Sequence, residues 1–233
     1  MGKAKDGNSG ELAMKILFLC LSLFLLPISS ARAAPGEREE QVQQSALECA
    51  NFQTIEYIES RNTLCLKGQI DISGQMRERI ESFPLRHDVL VVLESQGGGL
   101  MEAIRITEHL EKLDYDVAVS GMCLSACSQF IFMGAREKFF TKDGLIAFHG
   151  GPIPEEKIAK MELPEKGKDN LRREQVVFRQ FYCRRGIDLD LVSTVPERIG
   201  GVEEHRQFWV PTLAELSRAG VDQVHDLGSE IMR

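Results

Sequence analysis

Residues 89–99 read VLVVLESQGGG, and this stretch decides the fold. Its first part, Val89 to Leu93, is a continuous apolar run rich in β-branched side chains, which is typical of a strand covered on both faces. A glycine-rich turn follows and leads into an amphipathic helix, whose apolar stripe is Ala103, Ile106, Leu110 and Leu113. A buried strand, a tight turn and a helix with one apolar face together predict a βα unit of a parallel sheet.

The same alternation continues along the chain on both sides of this unit. Residues 64–70 have strand character, short apolar runs of strand type occur at 117–119 and 145–148, and helical spacing occurs at 75–83 and 125–133. Strands that alternate with helices at this spacing imply βαβ crossovers. The fold class is therefore α/β with a mainly parallel sheet.

A further amphipathic helix is predicted from Leu171 to Arg184. Its apolar residues are Val176, Val177, Phe178, Phe181 and Tyr182. We expect it to project from the sheet as a helical arm that supplies a surface for self-association, and a plain packed helix is an equally good interpretation. A homo-oligomer is expected on this basis.

Composition places the chain among globular proteins with one sizeable core. It has 233 residues, of which 43% are hydrophobic and 27% charged. The formal net charge is −7, and no run of basic residues is longer than a short pair such as Arg184 and Arg185. Nucleic acid is therefore not an expected partner.

The N-terminus has the pattern of a secretory signal peptide. Lys15 precedes an apolar run from Ile16 to Ile28, and Ala31 and Ala33 provide small residues at the cleavage positions. We assign residues 1–33 to this signal, which can also start at Met14. An uncleaved membrane anchor is the alternative. The expected location is periplasmic or secreted, with residues 34–63 as a flexible polar lead and stapled segment, and 64–233 as the main domain.

Five cysteines follow the predicted signal, and export makes them plausible disulfide partners. Cys49 and Cys65 bracket a short segment, and we predict a disulfide between them. Two small buried thiols are the alternative. The pairing of Cys123, Cys127 and Cys183 stays open, and the odd number leaves at least one thiol free or intermolecular.

Candidate catalytic residues follow three strands of the predicted sheet. Parallel α/β sheets carry their sites beyond the carboxyl ends of the strands, which brings together Gly97–Gly99, Gly121–Ser125 and His149. Ser125 lies where a strand turns into a helix, so its hydroxyl is close to a helix N-terminus. A serine needs a base to act as a nucleophile, and His149 is the best placed histidine. The others are His87, His109, His205 and His225.

Each of these residues also has an ordinary structural interpretation. Ser125 can be a helix N-cap, and His149 can be a hydrogen-bonded structural histidine. The glycine turn adds a third element, because the amides of Gly98 and Ala126 can form an oxyanion hole with Gly97 permitting close approach. A plain tight turn or a phosphate-binding loop is the alternative, but the latter needs Gly-Lys-Ser/Thr where Leu100-Met101 stands.

The order of these elements resembles a known superfamily. Gly68 after a strand, Ser95-x-Gly97-Gly98, Cys123-x-Ser125-Ala126, Gly134-x-Arg136 and Ile146-x-x-His149 are similar to the Clp-protease/crotonase superfamily, specifically to the proteolytic subunit of Clp and the signal peptide peptidase A group. Exported bacterial Clp-protease-like proteins share the Cys-x-Ser-Ala-Cys segment. The resemblance covers 64–150 well and 151–233 poorly.

The resemblance implies a ClpP/crotonase-like ββα superhelix that hydrolyses peptide bonds. Ser125 is then the nucleophile, His149 the general base, and Gly98 with Ala126 the oxyanion donors. The expected partner is a peptide or protein substrate, and we expect neither a metal nor a cofactor.

The resemblance also implies a third catalytic residue, an acidic group that orients His149, and its position is less well defined. In the Clp subunit an acidic residue follows the histidine by about fifty positions, and the segments 206–209 and 219–222 resemble its surroundings, which nominates Glu203 or Glu204. Other possible orienting groups are Asp188, Asp190, Glu197 and a backbone carbonyl. A signal-peptide-peptidase mechanism uses a lysine base instead, for which Lys138 and Lys142 are the nearby candidates.

The predicted function is an exported serine peptidase that works without ATP, since the chain has no Walker motif. A scaffold of the same fold that binds a peptide or partner with little or no turnover is the main alternative. A crotonase-type enzyme acting on an acyl thioester is disfavoured by the signal peptide, because acyl-CoA is intracellular. A redox pair formed by Cys123 and Cys127 is the fourth interpretation, and its spacing differs from Cys-x-x-Cys.

Overall fold

The computed structural model describes residues 35–195, 208–229 and 232. The predicted signal peptide, Glu203 and Glu204 lie outside these residues. The described residues from Gly36 onward belong to one compact unit, which includes the segment before residue 64.

The described chain contains a seven-stranded sheet with helices on both faces. The strands are β1 (Glu56–Ile58), β2 (Thr63–Lys67), β3 (Leu90–Ser95), β4 (Asp116–Leu124), β5 (Lys138–Phe140), β6 (Leu145–Ala147) and β7 (Val224–Asp226). The helices are α1 (Pro35–Cys49), α2 (Gln75–Glu81), α3 (Leu100–Glu111), α4 (Glu155–Lys160), α5 (Glu165–Arg184), α6 (Asp190–Ser193) and α7 (Leu213–Arg218). A 3₁₀ turn covers Glu59–Arg61, and a π-helix covers Cys127–Phe132.

The strand order is β1-β2-β3-β4-β5-β7, and β6 pairs with β4. The pair β1 and β2 is antiparallel, and the remaining named pairs are parallel. The long strand β4 is shared: Val117 pairs with Lys138 of β5, and Met122 pairs with Leu145 of β6. This confirms the α/β class with a mainly parallel sheet.

The apolar run that opens β3 is buried on both faces, as predicted. Because side chains alternate along a strand, Val91 and Leu93 pack into the larger core with α3, while Leu90 and Val92 pack into a smaller core with α1. Val117 and Ala118 of β4 divide in the same way. The centre of the sheet is therefore rigidly held between two helical layers.

One expectation about the N-terminal part of the domain is wrong. The stretch 35–44 is not a flexible lead but the first part of α1, because Val42, Ala46 and Cys49 recur at helical spacing and pack on the sheet. Three apolar residues on one face are enough to pack this helix on the sheet, although most of its other positions are Glu, Gln or Arg.

The expected helical arm is an ordinary packed helix over its second half. Phe178, Phe181 and Tyr182 are buried, and the rings of Phe178 and Phe181 each make edge-on contacts with Phe130, at 5.1 Å between centroids. Val176 lies on the exposed face. Burial of the aromatic residues in the core leaves them unavailable for self-association. Among the described residues, no helix is both long and apolar enough to cross a membrane.

Candidate active site

The carboxyl ends of β3, β4 and β6 meet at one edge of the sheet. Gly97 and Gly98 follow β3, Ser125 follows β4, and His149 lies two residues after β6. The register accounts for this meeting, because Cys123 of β4 pairs with Ser95 of β3 and with Ile146 of β6. The structure thus brings together Gly97, Gly98, Ser125 and His149, as the strand-end argument expected. Residues 121–124, expected in a turn, belong to β4 instead.

Ser125 and His149 form a direct hydrogen-bonded pair. The Oγ of Ser125 lies 2.6 Å from the Nε2 of His149, which is within the range of an O–H···N hydrogen bond. Both side chains are accessible to solvent, since His149 is exposed and Ser125 is half-buried. A hydroxyl in contact with an imidazole nitrogen can transfer its proton to that nitrogen as it attacks an electrophile.

The backbone at Ser125 is left-handed, with φ +54°. A residue with a Cβ pays about 1–2 kcal/mol for this conformation, so neighbouring contacts must hold it. The amide of Ser125 donates to the carbonyl of Ala147 (3.0 Å), and the carbonyl of Ser125 accepts from the amide of Gln129 (2.8 Å). A sharp strand-to-helix turn of this kind exposes the hydroxyl of a nucleophile above the sheet.

The glycine turn lies directly against Ser125. A Cβ added to Gly97 would come within 2.4 Å of the carbonyl oxygen of Leu124, 2.8 Å of the Cβ of Ser125 and 2.9 Å of the nitrogen of Ala126. Gly97 has φ +82°. Position 97 therefore needs glycine both for its conformation and for its space.

Gly98 is similarly confined by the strand on its other side. A Cβ at Gly98 would approach the carbonyl oxygen of Ile70 to 2.0 Å, and the backbone has φ +141°. The neighbouring Gly99 amide donates to that same carbonyl at 2.8 Å, and the amide of Ile70 donates to the carbonyl of Gly97 at 2.8 Å. These contacts hold the turn in place beside Ala126. The Ala126 amide lies in the first turn of a helix, where amides have no partner within the helix.

Two disulfides are present in the described chain. Cys49 pairs with Cys65, which confirms the prediction. The sequence left the partner of Cys123 open. In the structure Cys123 pairs with Cys127, so this disulfide brackets Ser125. Cys183 is a free, exposed thiol on α5.

The π-helix contributes two side chains that the sequence did not reveal. The Oγ of Ser128 lies 2.9 Å from the carbonyl oxygen of Ser125 and 2.8 Å from that of Ala147, so this hydroxyl lies between the nucleophile turn and β6. The side-chain amide of Gln129 donates to the carbonyl of Gly150, which follows His149. Gln129 is buried and so links the nucleophile turn to the histidine loop.

Helix α5 supports this arrangement from behind. The hydroxyl of Tyr182 donates to the carbonyl of Gln129 at 3.2 Å, and burial raises the pKa of Tyr182, so the hydroxyl stays protonated. The side-chain oxygen of Gln175 accepts from the amide of Ile153 at 2.7 Å, further along the histidine loop. The polar residues of this helix were not identified as part of the site because the sequence gives only their helical spacing.

The alternative groups named for orienting or replacing His149 have other surroundings. The carboxylate of Asp188 accepts from the amide of Asp190, and that of Asp190 accepts from the hydroxyl of Ser193, so both make local bonds at α6. Lys138 pairs with Val117, eight residues before Ser125 in the chain, which places it about 25 Å from Ser125 along the strand. Lys138 is therefore not a base for Ser125.

The remaining candidates divide between the described residues and those outside them. His87 lies near Asp114 on the surface, and His225 stacks on Phe139. Lys142 is exposed, in the turn between β5 and β6. Glu197, Glu203, Glu204 and His205 lie outside the described residues.

The ring of His149 also contacts an aromatic residue. Phe208 meets it edge-on, at 5.3 Å between centroids, and Phe208 itself remains partly exposed. This contact covers part of the imidazole ring. Over the ranges that the structure describes, no cluster of His, Cys, Asp or Glu side chains is arranged to hold a metal ion.

Comparisons with known proteins add no relative to this picture. A scan of protein-family models finds none that matches the chain, and a search of curated proteins finds no match to it.

Proposed function

We propose that this protein is an exported serine hydrolase of the peptidase class, in which Ser125 is the nucleophile and His149 the general base. The observation that carries the proposal is the 2.6 Å contact between Ser125 Oγ and His149 Nε2, made at a left-handed strand-to-helix turn. A structural helix cap needs neither an exposed imidazole partner nor a strained backbone, so the ordinary interpretation of Ser125 explains less of the geometry.

The proposed reaction follows from the positions of these groups. Ser125 Oγ attacks the carbonyl carbon of the substrate while His149 Nε2 accepts the hydroxyl proton. The amides of Gly98 and Ala126 stabilise the oxyanion, and His149 then passes the proton to the leaving amine as the C–N bond breaks. Water hydrolyses the resulting acyl-enzyme by the same route in reverse. No nucleotide takes part in these steps.

The substrate class and the finer fold assignment rest on the resemblance to the Clp-protease/crotonase superfamily. A ClpP/crotonase-like ββα superhelix is supported by the parallel sheet and by the glycine turn beside the nucleophile. Export is supported by the two disulfides, because such bonds persist in oxidising compartments. Orientation of His149 by Glu203 or Glu204 stays a prediction. A homo-oligomer also stays a prediction, and sedimentation of the purified chain tests it.

Labelling with a fluorophosphonate probe tests the nucleophile. We expect wild-type protein to take up one probe at Ser125, and Ser125→Ala and His149→Ala to lose labelling by about 10⁴-fold or more. Ser217→Ala and His87→Ala, both exposed and distant in the fold, are the matched controls and should label normally.

Turnover of peptide and ester substrates then separates an enzyme from a scaffold. A peptidase hydrolyses peptides at a rate that falls with each substitution at Ser125 or His149. A wild-type chain that binds peptides, takes up no probe and shows no turnover would contradict the proposal and support the scaffold.

A further inference from the structure

The Cys123–Cys127 disulfide encloses the nucleophile. Its cysteines stand two residues before and two residues after Ser125, and their Cα atoms are 5.4 Å apart. Four steps of extended chain would span about 13 Å, so the bond removes every conformation in which this segment opens. The segment between the two cysteines must therefore turn back sharply, and the left-handed backbone of Ser125 makes this turn.

Both ends of the disulfide are anchored in packed elements. Cys123 lies in β4, between its partners in β3 and β6, and Cys127 begins the π-helix. Both cysteines are fully buried in the larger core. The residues between these anchors are Leu124, which ends β4, and then Ser125 and Ala126, the proposed nucleophile and one proposed oxyanion donor.

We infer that the Cys123–Cys127 disulfide is a positioning element for the nucleophile turn, so that only a chain oxidised at this pair presents Ser125 and the Ala126 amide in reactive geometry. The inference rests on the proposed function and adds its regulation. A small displacement of a reacting group costs about 10²-fold in rate, so release of this turn has a large effect on activity.

The oxidation is a thiol–disulfide exchange with an external disulfide. The two cysteine thiols give up two protons and two electrons, the Sγ–Sγ bond forms, and the external disulfide is reduced to two thiols. Because neither cysteine has exposed surface in the folded chain, this exchange takes place while the chain folds. Activity is thereby restricted to protein that folds in an oxidising compartment.

The second disulfide provides a matched control. Cys49–Cys65 joins α1 to β2 in the smaller core, on the other face of the sheet, and it spans 16 residues. Closing the longer loop stabilises the fold more, in the loop-entropy account, than closing the short one. The two disulfides should therefore separate stability from activity.

Two double variants provide the first test. We expect Cys123→Ala/Cys127→Ala to label with a fluorophosphonate about 10²-fold more slowly than wild type, while its melting temperature falls no more than that of the control. Cys49→Ala/Cys65→Ala should melt earlier but label at the wild-type rate. Labelling of the first variant within about threefold of wild type, or failure of that variant alone to fold, overturns the inference.

A redox titration provides the second test. In a Cys49→Ala/Cys65→Ala/Cys183→Ser chain, Cys123 and Cys127 are the only cysteines after the predicted signal. This chain is refolded in graded mixtures of reduced and oxidised dithiothreitol, and free thiols are then blocked by alkylation. The labelling rate should follow the fraction with the disulfide, whereas equal rates for oxidised and reduced chains contradict the inference.

A measurement that needs no activity distinguishes this inference from the proposed function. The ¹³C chemical shifts of Ser125 report its backbone conformation, and we expect left-handed values in wild type that disappear in Cys123→Ala/Cys127→Ala. If wild type takes up no probe, the proposed function is wrong, and the shifts still test the positioning. Identical shifts in both proteins overturn the inference by themselves.

Discussion

The polar residues at the two edges of the sheet have different surroundings. The carboxyl edge is where β3 and β4 end, and the amino edge is where they begin. At the carboxyl edge, a hydroxyl and an imidazole contact each other in solvent, at a strained turn. At the amino edge, Asp116 is buried and accepts hydrogen bonds from Arg136 at 2.9 and 3.0 Å and from Arg38, while Arg136 also donates to Asp88. Each of these charges has an opposite charge in contact with it.

The two edges also differ in which residue types have a left-handed backbone. The left-handed residues near the amino edge include Asp88 and Asp114, and Asp adopts this region more readily than most residues. At the carboxyl edge the non-glycine residue with a left-handed backbone is Ser125. A cavity of about 230 Å³ at the amino edge is lined by Arg136, Lys138 and Arg185 among others. The two arginines pair with carboxylates, and Lys138 donates to the backbone carbonyl of Ala135. Ion pairs fill the amino edge, and the proposed catalytic pair lies at the carboxyl edge.

The largest effect expected from this comparison is on stability at the amino edge. Asp116→Asn removes a buried charge and leaves Arg136 without its main partner, so the free energy of unfolding should fall by about 3–5 kcal/mol. Asp88→Asn is the control, because its half-exposed carboxylate forms one ion pair and its loss should cost about 1 kcal/mol or less. Urea unfolding measures both. A reduced labelling rate per folded Asp116→Asn molecule would contradict the division between edges.

The next effect is on activity at the carboxyl edge. Gly97→Ala forces a Cβ against the backbone of Leu124 and Ala126, so we expect labelling of Ser125 to slow by about 10²-fold. Gly68→Ala is the matched control, since Gly68 also has a positive φ, +98°, but open space around it. Both variants share the conformational strain, and only Gly97→Ala should disturb the nucleophile. Equal labelling rates would sink the assignment of the glycine turn.

A smaller effect is expected where the π-helix meets the histidine loop. Gln129→Met keeps the length of the side chain but removes the donor to the Gly150 carbonyl, so labelling should slow about tenfold, which corresponds to about 1.4 kcal/mol. Gln180→Met, exposed on α5, is the control. The pH dependence of labelling should change with the first variant, because the orientation of His149 changes. An unaltered rate and profile would show that Gln129 only fills space.

The smallest effect concerns Lys138 at the amino edge. Burial lowers its pKa to about 8, against 10.5 for an exposed lysine. Between these values the folded state binds fewer protons than the unfolded state, so stability rises with pH, by about 1 kcal/mol from pH 7 to pH 9. Lys138→Met should remove this rise, while labelling of Ser125 stays unchanged at each pH. Parallel pH–stability curves for the two proteins would contradict the assignment.

The sequence predicts the carboxyl edge better than the surrounding support. Ser125 and His149 follow buried strands directly, and a parallel sheet brings such strand ends together whatever the loops do. The central strands are equally clear, because Leu90–Leu93 and Val117–Val119 are apolar at every position and so require cover on both faces.

Elements defined by tertiary contacts are not visible in the sequence. The strands β5 and β7 have three residues each, which is too short for an alternation of apolar and polar residues to be recognised. Each is defined by its pairing with a neighbouring strand. Gln129 reaches Gly150 from a π-helix, a winding that residue spacing does not distinguish from an α-helix. The helix α1 was obscured by its Glu and Gln content, although Val42, Ala46 and Cys49 mark its buried face.

The two disulfides also bear on how the chain matures. After residue 34, each bond joins a cysteine to the very next cysteine along the chain: Cys49 to Cys65, and Cys123 to Cys127. An oxidant that meets the chain N-terminus first, and joins each thiol to the next one to emerge, produces both native pairs in order. Cys183 emerges last and finds its predecessors already paired. Pairing in chain order therefore yields both native disulfides without the slow reshuffling of wrongly paired bonds.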